Sequence, residues 1–242
     1  MKYPAIGFVL LISFGFCKTD GGSSDGFLQQ DSVYNYRTPS RHGIGKFYKG
    51  REIAAIMSSG GSGWLDRSTR QEEENSNLAV DQMNFPPGAV VADIGAGTGY
   101  YTFKIADKVK SGKVYAVEIQ DRFIEMLNER ITSRSAKNVE VVKGGIKSPN
   151  LPENSLDFAL MVDVYHELEF PQEMLAAIRK SLRPGGKLIL MEYRAEDEAL
   201  QIIPLHKTSV KQLKKELEAN GFRLAGRSDS LPIQHLLFFE KK

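Results

Sequence analysis

The sequence is poor in cysteine, since Cys17 is the only one among its 242 residues. One thiol cannot close an intrachain disulfide, and a mature chain without Cys17 would have neither a thiol nucleophile nor a cysteine-based metal site. We predict no metal site. A charge of one sign is also lacking, because 32 Lys and Arg oppose 30 Asp and Glu for a net charge of +2. Composition therefore gives no reason to expect nucleic acid as a partner.

The sequence also lacks an apolar run of about 20 residues, the length that a transmembrane helix needs. Residues 5–16, which precede Cys17 and a Gly/Ser/Asp spacer, form a shorter run that is typical of a secretory signal, so we assign residues 1–17 to a leader. Cys17 is a candidate for lipid acylation, although Phe16 is bulkier than the residue usual before such a cysteine. Cleavage after Gly15 is the competing interpretation, and an uncleaved N-terminus of a cytoplasmic protein is the third. We expect an exported protein, periplasmic or anchored to the membrane.

The rest of the chain is long enough for one domain of about 180 to 200 residues with a sizeable core. Residues 18–45 are polar and rich in Gly and Ser, and we predict a linker there. Over residues 46–88 the pattern is helical in pieces: Ile53, Ile56 and Met57 fall at helical spacing, and a charged helix follows. We predict a small helical segment that folds over a ligand cleft as a lid.

Apolar strands alternate with amphipathic helices over residues 89–242. The predicted strands are "AVVADIG", "KVYAVEI", "VEVVKG", "DFALMVDVY", "KLILMEY" and two more over residues 222–227 and 235–240. The predicted helices lie near residues 101–110, 121–134, 171–182 and 209–220. Strands with so little polar alternation are typical of parallel sheets that helices cover on both faces. The sequence therefore predicts an α/β fold, a doubly wound and mostly parallel sheet of seven strands.

The first of these strands ends in a glycine-rich stretch, "DIGAGTG", from Asp93 to Gly99. A tight turn between a strand and a helix lies at the carboxyl edge of such a sheet, where ligands bind. The dinucleotide fingerprint G-x-G-x-x-G fails here, because the position that needs its last glycine is Tyr100. An acidic residue before the glycines suits a ligand with a cationic end better than a pyrophosphate.

Four segments in this order resemble the class I S-adenosylmethionine-dependent methyltransferases. They are "DIGAGTG", "VYAVEI" ending at Ile119, "LDFALMVDVYHEL" and "LRPGGKLIL". The resemblance runs from about Val90 to Lys242. Within that class, "YHEL", "MEYRAED" and "IPLHKTS" are similar to a group of bacterial enzymes of unassigned substrate that often carry export signals.

The resemblance implies that S-adenosylmethionine is the cofactor and that it lies across the carboxyl edge of the sheet. Glu118 would accept the ribose hydroxyls, Ile119 would face the adenine, and Asp163 would bind the methionine ammonium group. The family often has an acidic residue after its third strand for the adenine amino group, but this chain has "KGGIKSP" there, which offers backbone and apolar contact only. The predicted cofactor-binding residues are Asp93, Gly95, Ala96, Gly97, Gly99, Glu118, Ile119, Gly145, Ile146 and Asp163.

The methyl acceptor has fewer signals in the sequence. His166 is a candidate general base, with a packing or hydrogen-bonding role as the alternative, and Tyr165 is a candidate lining residue of the acceptor pocket. Glu192, Tyr193 and His206 are further candidates at the same opening. We expect methyl transfer to a small-molecule acceptor. The alternatives are a cofactor-binding module without turnover and a nicotinamide-dependent oxidoreductase, which the glycine spacing disfavours.

Overall fold

A computed structural model describes residues 33–242. The predicted leader, Cys17 and most of the predicted linker lie outside the described residues. The strands are β1 (Tyr34–Tyr36), β2 (Gly43–Tyr48), β3 (Arg51–Ala54), β4 (Val90–Ile94), β5 (Lys113–Glu118), β6 (Val139–Lys143), β7 (Leu156–Val162), β8 (Leu182–Arg194), β9 (Lys207–Thr208), β10 (Phe222–Ser228) and β11 (Gln234–Lys241). The helices are α1 (Ser62–Leu65), α2 (Arg70–Glu74), α3 (Ser76–Met83), α4 (Tyr100–Lys108), α5 (Asp121–Arg134), α6 (Pro171–Ser181) and α7 (Val210–Ala219).

The central sheet has the strand order β6-β5-β4-β7-β8-β11-β10, and the short β9 pairs with β8. The five strands from β6 to β8 are parallel, whereas β11 is antiparallel to both of its neighbours. The order reverses direction between β4 and β7, which makes the carboxyl ends of these two strands the topological switch point. The predicted doubly wound, mostly parallel α/β fold is confirmed.

Apolar side chains on the two faces of the sheet form two cores. One face packs on α3, α4 and α5 and includes Val91 and Leu160, whereas the other packs on α6 and α7 and includes Ala92 and Met161. Neighbouring strand residues thus point to opposite faces of the sheet. Both faces are buried, as expected for strands with an uninterrupted apolar sequence. The helix predicted at residues 121–134 has those bounds. The N-cap of α7 is Ser209, whose hydroxyl accepts the backbone N–H of Gln212 at 3.1 Å.

The N-terminal segment, residues 34–83, differs from its prediction. Strands β1, β2 and β3 form a three-stranded antiparallel sheet where a linker up to residue 45 and a helix around Ile53 were predicted, and both predictions are wrong. The loop between β2 and β3 is the dipeptide Lys49–Gly50, with φ of 48° and 96°. Two residues of positive φ are the connection that a β-hairpin prefers, and this turn holds Ile53 in a strand despite its helical spacing.

The later half of the N-terminal segment is helical, as predicted, but in short pieces. Helices α1 and α2 have four and five residues, and α3 has eight. A bidentate ion pair between Arg51 and Glu216, with N···O distances of 2.8 and 2.9 Å, joins the small sheet to α7, which packs on the main sheet. Within residues 33–242, no helix combines the length and the apolar character that crossing a membrane requires.

Candidate active site

A cleft of about 460 Å³ opens at the carboxyl edge of the sheet, above the ends of β4, β5 and β7. Its volume is in the usual range for small-ligand sites. The N-terminal segment forms the opposite wall of the cleft. Eight of the residues predicted from the sequence line it: Gly95, Gly97, Glu118, Ile119, Gly145, Ile146, Asp163 and His166. The structure therefore brings most of the predicted cofactor site into one cleft.

The glycine turn after β4 has the bare backbone that its sequence indicates. Gly95 and Gly97 have φ of 77° and 54°, a region that residues with a side chain rarely adopt. A Cβ atom at Gly95 would stand 2.6 Å from a methyl group of Val164, and one at Gly97 would stand 2.8 Å from a methyl group of Leu65. The turn is thus packed closely at both glycines, and a ligand can lie against its backbone there only because Gly95 and Gly97 have no side chains.

Glu118 ends β5 with its carboxylate buried beside the glycine turn. Oε1 accepts the backbone N–H groups of Ile119 and Gln120 at 2.7 and 2.9 Å, and Oε2 accepts that of Gly97 at 2.9 Å. A carboxylate has about four acceptor positions, and these three hydrogen bonds leave one of them open. In this arrangement Glu118 can accept one ribose hydroxyl, and a second one only if the Gly97 N–H is released.

Asp163 follows β7 with a φ of 53° and is one of the residues that line the cleft. Oδ2 accepts the side-chain amide of Gln234 at 2.7 Å, whereas Oδ1 is buried and has no hydrogen-bond partner among residues 33–242. Burial, together with the carboxylates of Glu74 and Glu192, raises the pKa of Asp163 well above its usual range. An ammonium group at Oδ1 would satisfy the orphan oxygen and stabilise its charge, so the site fits the group predicted for it.

Three predicted residues of the cofactor site do not line the main cleft. Asp93 and Ala96 line a neighbouring small pocket, and Asp93 accepts the hydroxyl of Thr102 at 2.5 Å. Burial raises the pKa of Asp93 to about 6, and the Thr102 hydrogen bond opposes that shift. Gly99, with φ 86°, begins α4 and packs on Phe103. Asp93, Ala96 and Gly99 therefore belong to the glycine turn but lie outside the main cleft.

Tyr165 does not line the cleft, and its prediction as a pocket residue is wrong. Its ring is fully buried, and its hydroxyl donates to Glu216 of α7 at 2.7 Å. A single turn of 3₁₀ helix over Tyr165–Glu167 explains the difference, because it turns successive side chains in different directions. Tyr165 is thereby directed to the core under α7, while His166 is directed to the cleft.

His166 belongs to a chain of hydrogen-bonded groups. Its Nδ1 lies 2.6 Å from Oε2 of Glu192, a carboxylate that is fully buried and also accepts the backbone N–H of Tyr165 at 2.8 Å. Its Nε2 lies 3.1 Å from Nδ1 of His206. Glu192 thus fixes the orientation of His166, and Nε2 is the nitrogen that is directed to His206.

Glu167 completes a group that we call the histidine cluster: His166, Glu167 and His206. Oε1 of Glu167 lies 3.5 Å from Nδ1 of His206 and 3.9 Å from Nε2 of His166. Burial raises the pKa of Glu167 to about 7 and, together with the neighbouring His166, lowers the pKa of His206 to about 4. His206 is therefore neutral near pH 7, and all three residues line the cleft.

Glu74 holds the N-terminal segment against the sheet. Its carboxylate is fully buried and accepts hydrogen bonds from Arg67 at 2.8 Å, Arg70 at 2.9 Å and the hydroxyl of Tyr193 at 3.0 Å. Arg70 and Tyr193 both line the cleft. The short helix α2 is thus fixed at the cleft by a buried charge with three donors.

A second set of contacts joins the N-terminal segment to α5 and to the glycine turn. Asp66 pairs with Arg130 of α5 at 2.6 Å and accepts the hydroxyl of Thr98 at 2.9 Å. The backbone of Met57 joins both ends of the cleft, since its N–H donates to Glu167 at 3.2 Å and its carbonyl accepts the amide of Gln120 at 2.9 Å. The predicted covering of the cleft thus exists, but a strand and loops contribute as much to it as helices.

The sequence did not indicate two features of the cleft around His166. Glu167 has a signal only in hindsight, as the neighbour of His166 in "YHEL". Ile44 and Met57 lie in a segment without a recognisable motif and become wall residues only through the hairpin of β2 and β3. Tyr193 and His206, named as weaker candidates, do line the cleft.

Residues 92–190 match the family model described as "Methyltransferase domain". Among solved structures, the chain is similar to a SAM-dependent methyltransferase from Aquifex aeolicus, with a TM-score of 0.72 and 24% identity over 76% of this chain and 98% of that one. This likeness shows the fold. Residues 92–190 are thus similar to a methyltransferase domain, and the fold of the chain is that of a SAM-dependent methyltransferase.

Two curated relatives match shorter stretches. An uncharacterized 37.1 kDa protein in transposon TN4556 from Streptomyces fradiae is 31% identical over 53% of this chain and 38% of its own length. A ubiquinone/menaquinone biosynthesis C-methyltransferase, UbiE, from Hahella chejuensis is 28% identical over 48% of this chain and 47% of its own length. The chain thus spans about half or less of the length of these relatives.

Proposed function

We propose that the protein transfers a methyl group from S-adenosylmethionine to a small-molecule acceptor held between the sheet edge and the N-terminal segment. The observation that carries this proposal is the buried Oδ1 of Asp163, an oxygen with no partner among the described residues, on a residue that lines the cleft. A buried polar atom without a partner calls for an explanation, and a ligand ammonium group supplies one.

The chain's own residues have distinct tasks in this proposal. Glu118 orients the ribose, Asp163 binds the ammonium group, and Gly95 and Gly97 let the methionine part lie against the backbone. When bound, S-adenosylmethionine supplies an electrophilic methyl group on a positively charged sulfur. Ile119 and Ile146 form the apolar wall predicted for the adenine, with no acidic residue in the "GGIK" stretch to bind its amino group.

The end of the cleft at the histidine cluster, which we call the acceptor end, positions the acceptor and excludes water from it. Methyl transfer is an in-line displacement, so holding the acceptor in line and excluding water can supply most of the acceleration. Nε2 of His166, oriented by Glu192, is the group best placed to influence an acceptor that starts protonated.

A small acceptor fits the shape of the cleft better than a macromolecule does. Met57 bridges the opening between Gln120 and Glu167, and Leu65 covers the glycine turn. Several of the residues that line the cleft are apolar: Ile44, Ile56, Met57, Leu168 and Met174. We therefore propose an acceptor with an apolar body and one reactive polar atom.

Calorimetric titration of the purified chain with S-adenosylmethionine and, separately, with NAD tests the cofactor. We expect binding of the first and no heat from the second, because Tyr100 stands where a dinucleotide site needs glycine. Incubation with methyl-labelled cofactor and fractionated small-molecule extract then tests turnover. Label in a small-molecule fraction supports the proposal, whereas binding without any transfer supports a module that only binds the cofactor.

The export of the protein remains a separate proposal. It is supported by the apolar run of residues 5–16 before Cys17. Mass spectrometry of the mature N-terminus decides between a lipid on Cys17, cleavage after Gly15 and an intact start. An intact start would contradict the export proposal.

A further inference from the structure

We propose that the histidine cluster binds one divalent transition-metal ion, with Nε2 of His166, Nδ1 of His206 and a carboxylate oxygen of Glu167 as its ligands. The inference deepens the proposed function, because it assigns the activation of the acceptor to a metal ion. It changes the prediction made from the sequence, in which the chain holds no metal and His166 acts as a general base.

The three candidate ligand atoms converge at the distances that a metal site requires. They lie within 4.8 Å of one another, with separations of 3.1, 3.5 and 3.9 Å. Zn–N and Zn–O bonds of about 2.0–2.2 Å in a tetrahedral site place neighbouring ligand atoms about 3.4 Å apart. One ion can therefore contact all three atoms with small adjustments of the side chains.

The hydrogen bonds behind the cluster direct a lone pair toward its centre. Glu192 is fully buried and accepts the backbone N–H groups of Val164 and Tyr165 at 3.1 and 2.8 Å, so its carboxylate serves as an acceptor. It lies 2.6 Å from Nδ1 of His166 and makes that nitrogen the proton-bearing one. Nε2 is then left with a lone pair. A carboxylate that accepts the other ring N–H of a histidine usually orients a metal-binding imidazole in this way.

Two histidines and one carboxylate are a ligand set that leaves positions of the ion open. Sites of this kind hold Zn²⁺ in hydrolytic enzymes and Fe²⁺ in oxygenases, and the open positions take water or substrate. The cluster lines the cleft. It also lies near the glycine turn, because Val164, two residues before His166, packs on Gly95. An ion here would face the place where the acceptor must lie.

The proposed site selects a chemical class of acceptor. A hydroxyl group that coordinates the ion would have a lowered pKa, so that its O–H bond breaks and the proton passes to water. The oxygen is then ready to receive the methyl group. We infer an acceptor with a hydroxyl group on an apolar body.

Metal titration of the full chain tests this site without an activity assay. The chain is treated with a chelator, dialysed and titrated with Zn²⁺, and in parallel with Co²⁺, whose visible absorption reports the geometry of its ligands. Glu167→Gln and His206→Asn each remove one ligand. Glu169→Gln is the matched control, because Glu169 also lines the cleft but is not part of the cluster.

We expect one ion per chain, binding at least tenfold weaker in Glu167→Gln and in His206→Asn, and unchanged binding and spectrum in Glu169→Gln. Equal metal affinity of all four proteins, or no binding by the wild-type chain, would overturn the proposal and leave a hydrogen-bonded histidine pair. Calorimetry with S-adenosylmethionine on the same samples separates the two proposals. Cofactor binding without metal binding removes only the metal site, and metal binding without cofactor binding removes only the proposed function.

Discussion

The two ends of the cleft are built in different ways. The cofactor end consists of residues at the ends of three neighbouring parallel strands: Gly95 and Gly97 after β4, Glu118 at the end of β5, and Asp163 after β7. The acceptor end combines an N-terminal hairpin, a 3₁₀ turn and the loop before β9. Strand ends are set by the sheet itself, whereas the acceptor end depends on contacts between distant parts of the chain. The residues of the cofactor end can therefore be predicted from the sequence, whereas those of the acceptor end become visible only in the structure.

The largest effect is expected at Glu74, which holds the N-terminal segment against the sheet. Glu74→Gln would leave Arg67 and Arg70 without a full counter-charge in a buried position, and breaking such a pair costs about 3–5 kcal/mol. Glu73→Gln is the control, because that neighbour also pairs with Arg67 but is 41% exposed and should change stability by about 0.5 kcal/mol or less. Urea unfolding measures both. Equal losses in the two variants would show that Glu74 does not hold the segment on the sheet.

The next effect concerns Glu118. Glu118→Gln removes the charge and places an amide where Gly97 now donates, so affinity for S-adenosylmethionine should fall about 10- to 100-fold, as expected for a charged hydrogen bond worth about 1.5–3 kcal/mol. Glu125→Gln on the exposed face of α5 should leave affinity unchanged. Isothermal titration calorimetry makes the comparison, and thermal melting confirms that both variants fold. Unaltered affinity in Glu118→Gln would remove the ribose role.

A variant of Asp163 tests which part of the cofactor this residue binds. Asp163→Asn keeps an acceptor for Gln234 but loses the charge at Oδ1, so affinity for S-adenosylmethionine should fall about tenfold. Methylthioadenosine has the nucleoside without the amino acid part and should bind the variant and the wild-type chain equally well. A parallel loss for both ligands would mean that Asp163 supports the cleft and does not bind an ammonium group.

The smallest effect is expected at Ile146, the exposed apolar residue of the predicted adenine wall. Ile146→Ala should weaken S-adenosylmethionine binding by about fivefold or less, because only part of a side chain's apolar area, worth about 1 kcal/mol, is covered by the ligand. Ile203→Ala is the control, since Ile203 is 41% exposed, close to the 48% of Ile146, and does not line the cleft. Calorimetry that finds the same affinity in both would place the adenine elsewhere.

Sequence patterns predicted the parts that depend on neighbours in the chain. The turn from Asp93 to Gly99 follows an apolar strand, and the identity of its residues determines its shape, so its position at the sheet edge was predictable. The short strands β1 to β3 have little apolar periodicity, and their only local signal is the Lys49–Gly50 hairpin turn. The helical spacing of apolar residues at Ile53 predicted a helix, whereas the hairpin turn indicated a strand, and the structure has the strand.

The histidine cluster shows more clearly which contacts cannot be predicted from the sequence. His166 and His206 are 40 positions apart, and they meet because β9 pairs with β8, with Lys207 opposite Tyr193. A two-residue strand has no pattern that a sequence can reveal. Tyr165 was misplaced for a related reason, since one turn of 3₁₀ helix decides whether it or His166 faces the cleft.

The most direct measurement is a crystal structure of the full chain with S-adenosylhomocysteine. The account predicts that at least one ribose hydroxyl lies within hydrogen-bond distance of Glu118, that the amino group lies on Oδ1 of Asp163, and that the sulfur faces the histidine cluster. A nucleoside bound elsewhere, or an amino group directed away from Asp163, would contradict it.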